Sequence, residues 1–96
     1  AGFIGSHLCA RLIREGASVL ALDDLSTGRS ANLAPLGNGQ FRLTQRDVVE
    51  RFDIECAAIF HLACPASPAA YQRSPIDTVK TAVIGTLNAL ENADRH

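Results

Sequence analysis

The sequence lacks any run of about eighteen apolar residues, so it predicts no membrane-spanning helix. It also lacks an excess of basic charge. Nine lysines and arginines stand against ten acidic residues, Lys80 is the only lysine, and the net charge is −1. A surface that binds DNA or RNA phosphates needs clustered cations, so we expect no nucleic-acid partner.

Cysteine is scarce and shows no pairing pattern. Cys9, Cys56 and Cys64 form no C-x-x-C pair, and their number is odd. This usage is typical of reduced thiols inside a cell, which favours a cytoplasmic location. His7 and His61 are the other candidate metal ligands, but no zinc-type spacing links them to the cysteines. Buried thiols and structural histidines are the simpler interpretation, so we expect no metal.

A glycine turn opens the part of the sequence that carries chemistry. Residues 1 to 16 are typical of the second half of a glycine-rich turn that leads into a helix. Gly2 and Gly5 have the spacing of the last two glycines of a dinucleotide-binding motif. Gly2 would let the backbone approach a pyrophosphate, Gly5 would let the helix pack on a sheet, and the first helical turn would attract the anion. The same spacing also occurs in ordinary loop-to-helix junctions, so the turn alone does not decide the function.

An acidic residue follows the first strand-like segment. Ser18–Leu22 is a continuous apolar run after Gly16, which predicts a buried parallel strand. Asp23 comes 21 residues after Gly2, where dinucleotide folds place a carboxylate that binds the adenosine ribose. This carboxylate would repel the extra phosphate of NADP, so it favours NAD; the alternative role is a solvated turn residue or a cap. Asp24 is ambiguous, because two adjacent carboxylates cannot both point at one ribose.

Two further segments lie where an adenine ring would pass. In the polar loop Leu25–Ser30, Gly28 permits a tight backbone, and Arg29 is either a stacking partner for adenine or a plain surface charge. Phe41–Gln45 alternates apolar and polar residues and predicts a second strand. After it, Asp47 is either an acceptor for the exocyclic amine of adenine or an ordinary strand-ending residue.

A third strand is predicted at Ala57–Ala63, which is apolar almost throughout and therefore expected at the centre of a sheet. Cys64–Pro68 contains two prolines and is expected to leave regular structure. Loops at the C-terminal ends of parallel strands hold ligands in such folds. Tyr71 would then face a pocket, or its ring would pack under the loop.

One long helix is predicted from Ser74 to about Asp94, with Ser74 as N-cap and Pro75 as the first helical residue. Five apolar residues recur at steps of three and four: Ile76, Val79, Val83, Leu87 and Leu90. A sixth apolar residue, Ile84, widens this stripe beyond what is needed to cover one face of a sheet. Lys80 lies one residue off this stripe, where it would reach the ribose of a cofactor or remain solvated.

The order helix, strand, strand, strand, helix predicts an α/β fold. It corresponds to a partial Rossmann domain, a doubly wound parallel sheet, that lacks its first strand. In the strand order 3-2-1-4, the strand before Gly2 would lie between the first and third predicted strands, whose edges would be unpaired without it. We therefore expect residues 1–96 to be an incomplete NAD-binding domain of a longer protein, unstable or prone to aggregation by itself, with the substrate and catalytic part beyond residue 96.

Several stretches together resemble the extended short-chain dehydrogenase/reductases that act on nucleotide sugars, the NAD-dependent epimerase/dehydratases. These stretches are Ala1–Leu8, Leu22–Asp23, Thr27–Arg29, Arg46–Val48 and His61–Ala63. Within that family, a second set of segments resembles the group of UDP-glucuronate decarboxylases. That set comprises Cys64–Gln72, Pro75, Thr78–Thr81 and Gly85–Asn88. The resemblance covers nearly the whole chain.

Carried over by position, the resemblance implies two groups of contacts. NAD would contact Gly2, Phe3, Ile4, Gly5, Asp23, Asp24, Ser26, Thr27, Gly28, Arg29, Asp47, Val48, Leu62, Ala63, Cys64 and Lys80. The sugar nucleotide would contact Ala66 and Tyr71. The catalytic tyrosine and lysine of the family would lie beyond His96, and Tyr71 is not that tyrosine, since Pro75 stands where the lysine would follow.

The implied reaction converts UDP-glucuronate to UDP-xylose with NAD as cofactor. C4 of the glucuronate is oxidised, the C6 carboxylate leaves as CO₂, and the ketone is reduced again. Dimers formed through long helices are typical of the family, so a full-length homodimer is expected. Two alternatives stay open: a related epimerase or dehydratase of another nucleotide sugar, which releases no CO₂, and a non-catalytic NAD-binding protein without the tyrosine and lysine.

Overall fold

The computed structural model describes residues 1–37, 39–65 and 67–96. The chain divides into two compact units, Ala1–Asp47 and Val48–His96. The first unit contains helix α1 (Phe3–Arg14), strands β1 (Val19–Asp23) and β2 (Phe41–Gln45), and two short 3₁₀ turns between the strands. The second contains helices α2 (Pro68–Arg73), α3 (Pro75–Lys80) and α4 (Thr86–Arg95), with a π-helical segment, Thr81–Gly85, joining α3 to α4.

Glycines flank helix α1 at both ends, as predicted. Gly2 is its extended N-cap residue, and the Gly2 carbonyl accepts the first helical hydrogen bond, from the Ser6 N–H at 3.0 Å. At the other end Gly16 has φ +92°. The N–H groups of Gly16 and Ala17 donate to the carbonyls of Ile13 and Leu12, each at 3.0 Å. This pair of bonds is the Schellman motif, which needs a left-handed residue and therefore favours glycine.

The two strands form a parallel sheet, so the predicted α/β class is confirmed. Val19 pairs with Phe41 and Asp23 pairs with Gln45 at the two ends of the ladder. The bounds of β2 are those expected from its alternating pattern, and β1 begins one residue later than the predicted Ser18. Both strands end on the same side of the sheet, which is the side where parallel sheets hold ligands.

The prediction of a third strand at Ala57–Ala63 is wrong for the part of the chain that the structure describes. The one ladder among those residues joins β1 to β2. A strand needs a hydrogen-bonded neighbour, and the neighbour that the doubly wound order assigns to this segment would precede Gly2, outside the 96 residues. Phe60 and Leu62 are accordingly 58% and 50% exposed.

The long predicted helix is present, although not as one uniform α-helix. Helical structure runs from Pro75 to Arg95 with the π-helical segment in the middle. Ser74 occupies the N-cap position as expected, but its side chain makes no cap hydrogen bond. Its carbonyl instead accepts from the N–H and Oγ1 of Thr78, both at 3.0 Å. Helix α2, which the sequence did not predict, begins at Pro68, and proline is well tolerated in a first helical turn.

The helical run buries its small and amide side chains. The buried positions are Gly85, Asn88, Ala89 and Asn92. The apolar stripe lies on the opposite side, where Ile76 is 70% and Leu90 62% exposed. Among the described helices none is both long enough and apolar enough to cross a membrane.

Candidate functional site

The first unit brings the glycine turn and the acidic end of β1 together. The Oδ2 atom of Asp23 lies 2.5 Å from the backbone nitrogen of Ala1, the residue directly before Gly2. The other carboxylate oxygen, Oδ1, accepts a hydrogen bond from the Leu25 N–H at 2.7 Å. The carboxylate is about four-fifths buried, since 20% of its side chain is exposed. This partly sheltered carboxylate therefore lies beside the start of α1, with one hydrogen-bond partner on each oxygen.

Gly28 closes the space around this carboxylate. A Cβ built on Gly28 would stand 2.9 Å from Asp23 Oδ2 and 2.9 Å from the carbonyl carbon of Ala1. Real Cβ atoms do not approach that closely, so no side chain fits at this position without movement. The next residue, Arg29, donates its backbone N–H to the Ala1 carbonyl at 3.2 Å. The polar loop after β1 is thus tied to the glycine turn.

Asn32 is a second anchor of the same loop, and sequence reasoning missed it. Its Nδ2 donates to the Ala1 carbonyl at 2.8 Å, across 31 positions of the chain. No local pattern marks such a contact, because an asparagine in a connector is ordinary turn chemistry. With Asn32 and Arg29 both bound to one carbonyl, the backbone before Gly2 is fixed from two sides.

The two adjacent carboxylates at the end of β1 have different partners. Asp24 is exposed, and its Oδ1 accepts from the N–H of Ser26 at 3.0 Å and from its Oγ at 2.8 Å. Leu25, between these two turns, has φ +62°, a left-handed conformation that leucine seldom adopts. Asp24 therefore caps the loop, and Asp23 is the carboxylate that faces the glycine turn.

The first turn of α1 presents open backbone donors. No side chain caps this helix and no acidic residue lies in its first turn. Phe3 and Ile4 are 77% and 67% exposed. The Phe3 carbonyl already accepts from the Ser6 hydroxyl at 3.0 Å, and the His7 ring lies tilted against the Phe3 ring, with the ring centroids 4.6 Å apart. Uncapped N–H groups at a helix start favour an anionic group such as a phosphate.

The remaining candidate cofactor residues are divided between the two units. In the first, Ser26 and Thr27 are exposed and Asp47 is half-buried. In the second unit, Val48 is buried and Ala63 is half-buried, whereas Cys64 and Lys80 are exposed. Leu62 is half exposed, and Lys80 is the last residue of α3, directly before the π-helical segment.

Of the two candidate substrate residues, only one can be located. Tyr71 lies within α2, not in the turn expected from the sequence, and is 38% exposed. Ala66 lies outside the described residues.

No metal-binding cluster of three or more histidine, cysteine or acidic side chains occurs in residues 1–37, 39–65 and 67–96. The three cysteines are free, and burial raises the pKa of the Cys9 thiol above its ordinary value. A raised pKa disfavours the thiolate, the form in which a cysteine acts as a nucleophile or metal ligand.

Several known proteins are similar to this chain in sequence and in fold. A sequence profile described as the NAD dependent epimerase/dehydratase family matches residues 1–96. The chain is 50% identical over 96 residues to UDP-glucuronic acid decarboxylase 1 of Arabidopsis thaliana, which covers 99% of this chain and 22% of that protein. It is 48% identical to UDP-glucuronic acid decarboxylase 1 of Danio rerio, with 99% of this chain and 23% of that protein covered. The chain thus spans less than a quarter of the length of these relatives.

A solved structure agrees with the fold. The UDP-glucose 4-epimerase of Thermotoga maritima, solved with UDP-glucose, superposes with a TM-score of 0.74 at 29% sequence identity. The superposition covers 97% of this chain and 31% of the epimerase chain.

Proposed function

Because the chain belongs to the NAD dependent epimerase/dehydratase family, we propose that it is the NAD-binding part of a UDP-glucuronate decarboxylase. The observation that carries the cofactor assignment is the sheltered carboxylate of Asp23 beside the glycine turn, with Gly28 directly over it. The relatives named UDP-glucuronic acid decarboxylase, which match nearly the whole chain, favour this reaction over others of the family.

The position of Asp23, between the glycine turn and Gly28, fits the adenosine half of NAD. Its carboxylate would accept hydrogen bonds from the ribose hydroxyls, and its negative charge would repel the additional phosphate of NADP. The open N–H groups of Phe3, Ile4 and Gly5 in the first turn of α1 would hold the pyrophosphate. Glycine at position 28 leaves room for the carboxylate in this position, because any side chain there would clash with Oδ2.

The adenine ring would lie beside Asp47 and Val48. Asp47 would accept from the exocyclic amine of adenine. Val48 is only 8% exposed and its Cγ2 packs against Gly85, so its contribution would come from the backbone. Ser26, Thr27 and Arg29 would complete the adenosine contacts from the exposed loop after β1.

NAD⁺ supplies reversible oxidation and reduction at C4 of the sugar when it is bound. The ketone at C4 makes the C6 carboxylate a β-keto acid, which loses CO₂, and reduction of the ketone then gives UDP-xylose. Residues 1–96 would bind and orient the cofactor for this sequence. We assign them no proton transfer, because Tyr71 has Pro75 and not a lysine four residues later.

The second unit would contribute to the substrate side and to assembly. Ala66 and Tyr71 match positions that would contact the sugar nucleotide. The exposed apolar stripe of α3, the π-helical segment and α4 would pair with the same stripe of a second copy, which gives a homodimer of the full-length protein.

Product analysis of the full-length protein tests the reaction. Incubation with UDP-glucuronate and NAD⁺ should yield UDP-xylose and one CO₂ per sugar, without net consumption of NAD⁺. The second candidate, favoured by the likeness to a UDP-glucose 4-epimerase, would yield an isomerised sugar nucleotide and no CO₂. NAD⁺ binding without turnover of either substrate would instead support a non-catalytic binding protein.

A further inference from the structure

A buried asparagine holds the turn that follows β2. Asn88 lies on the buried face of α4 and is 8% exposed. Its Nδ2 donates to the carbonyl oxygen of Val48 at 2.8 Å and to that of Val49 at 3.0 Å. A carboxamide nitrogen carries two hydrogens, so each carbonyl can receive one of them. Two consecutive peptide groups of the turn are therefore oriented by one side chain.

The π-helical segment directly before α4 also contacts the Val48 side chain. A Cβ added to Gly85, less than one turn before Asn88, would stand 2.7 Å from Val48 Cγ2. The absence of a side chain at Gly85 thus allows the helix to approach Val48 closely. Val48 is held twice, through its carbonyl by Asn88 and through its methyl group by the backbone at Gly85.

We propose that Asn88 is a positioning residue for adenine binding: it fixes the orientation of the Val48–Val49 turn so that Val48 meets adenine without reordering. This inference rests on the proposed function, in which NAD places its adenine beside Asp47 and Val48. A turn that is already ordered loses little conformational entropy when the ligand binds, so the ligand binds more tightly. Supporting hydrogen bonds of this kind hold ligand-contacting groups in the geometry that binding requires.

The helix provides a matched control at Asn92. This residue is 0% exposed, and its carboxamide also binds backbone: Oδ1 accepts from the Ile54 N–H at 2.6 Å, and Nδ2 donates to the Ile54 carbonyl at 2.9 Å. Asn92 and Asn88 thus share residue type, helix, burial and bonding. They differ in that Ile54 is not among the cofactor positions. A merely structural role of Asn88 would make the two residues behave alike.

The experiment compares two dinucleotides on the full-length protein. The probes are NAD⁺ and nicotinamide hypoxanthine dinucleotide, in which an oxygen replaces the adenine amine. Dissociation constants are measured by isothermal titration calorimetry for the wild type and for Asn88→Ala, Gly85→Ala and Asn92→Ala. The ratio of the two constants reports adenine recognition and is insensitive to a uniform loss of folded protein.

The wild type should bind NAD⁺ more tightly than the hypoxanthine analogue. Asn88→Ala should weaken NAD⁺ binding about three- to tenfold, the range expected for losing such hydrogen bonds, and should reduce the ratio between the two ligands. Gly85→Ala should act in the same direction, because its Cβ displaces Val48. Asn92→Ala should lower the melting temperature yet keep the wild-type ratio.

The outcomes separate this inference from the proposed function. A wild type that does not bind NAD⁺ overturns the proposed function and the positioning role together. A wild type that binds NAD⁺ but does not discriminate against the analogue overturns adenine recognition at this turn. If the wild type discriminates and Asn88→Ala keeps its ratio, or Asn92→Ala changes the ratio equally, only the positioning role of Asn88 is wrong. Should Asn88→Ala fail to fold, Gly85→Ala decides by the same ratio.

Discussion

Gly28 and Asp23 lie so close together that a Cβ on Gly28 would stand 2.9 Å from the Asp23 carboxylate. The same Cβ would also press on the carbonyl carbon of Ala1 at 2.9 Å. The requirement for glycine here comes from space and not from a left-handed backbone. The neighbourhood of the carboxylate is therefore sensitive to a single added methyl group.

The first prediction concerns Gly28→Ala. The methyl group must displace the Asp23 carboxylate or the backbone of Ala1, so we expect a loss of about 1–3 kcal/mol in the free energy of unfolding, as for other overpacked sites. The affinity for NAD⁺ should fall as well, because the carboxylate moves. Denaturant unfolding and calorimetric titration of the full-length protein measure the two effects.

Gly39→Ala is the matched control for this substitution. A Cβ at Gly39 meets nothing within 4 Å, and its backbone is not left-handed. The control should retain wild-type stability and affinity. Equal losses of stability and affinity in the two variants would contradict a specific clash between a Gly28 side chain and Asp23.

The second prediction concerns the charge of Asp23. Asp23→Asn keeps the shape of the side chain but removes the charge-assisted acceptor, so NAD⁺ binding should weaken about tenfold or more. The preference for NAD⁺ over NADP⁺ should fall in the same variant, because the repulsion of the second phosphate is lost. Titrating both cofactors against the full-length variant measures the change.

Glu15→Gln serves as the control for Asp23→Asn. Glu15 is an exposed carboxylate whose partner is Arg11 at 2.8 Å, and it lies at the far end of α1 from the glycine turn. Its neutralisation should leave both cofactor affinities unchanged. A loss of NAD⁺ affinity in both variants would indicate a general effect of net charge and not a specific contact of Asp23.

Local patterns predicted the first unit well. The alternation of Phe41–Gln45 gave the bounds of β2, and Gly16 marked the end of α1 because only a left-handed residue completes its cap. The closeness of Asp23 to the glycine turn was also predictable, since the spacing follows from the helix and strand between them. The contact of Asn32 with Ala1 was not, because it joins distant positions and leaves no periodic signal.

The second unit shows what amphipathic patterns miss. The apolar stripe at Ile76, Val83 and Leu90 predicted the helix but not the face that it buries. The buried face carries Gly85 and Asn88, because the helix packs against backbone whose carbonyls need donors. The spacing of apolar residues shows where hydrophobic side chains recur, but it does not show which side chains will donate hydrogen bonds to backbone carbonyls. Ala57–Ala63 failed for a related reason, since strand propensity cannot supply a pairing partner.

The third prediction concerns acid stability. The pKa of the Asp53 carboxyl is lowered from its ordinary value, first by its hydrogen bond with His96 and then by Arg95. A folded-state pKa below the unfolded one stabilises the protein above the unfolded value of about 3.8. That stabilisation is lost as the pH falls through the folded-state pKa. Asp53→Asn should therefore lower the urea midpoint at pH 6, and the difference from wild type should shrink below about pH 4.

Urea unfolding of the full-length protein between pH 3 and pH 7 checks this sign. Arg95→Gln is a useful companion, because it removes the second cause of the lowered pKa and keeps the His96 contact at 2.6 Å. Its pH-dependent difference should be smaller than that of Asp53→Asn. If the difference in urea midpoint between Asp53→Asn and the wild type is constant across this pH range, the stabilisation does not come from the lowered pKa of Asp53.

The fourth prediction concerns assembly through the apolar stripe. Ile76, Val83 and Leu90 recur every seven residues, and Val79 and Leu87 lie between them. The two steps of four residues, from Val79 to Val83 and on to Leu87, span the π-helical segment, whose wider turn keeps these side chains on one face. Apolar residues at seven-residue intervals form the seam of paired helices, and a twofold axis would bring identical seams together.

Val83→Glu tests this seam, and Ala82→Glu is its control. Val83 is 54% exposed, so a glutamate there should not disturb the fold of the protomer. In a dimer it would bury two unpaired carboxylates against each other, and the full-length variant should be monomeric by light scattering. Ala82 is also exposed but is not one of the stripe residues, so the same charge there should leave the dimer intact. If Val83→Glu remains dimeric, the stripe must instead be covered by other parts of the full-length chain.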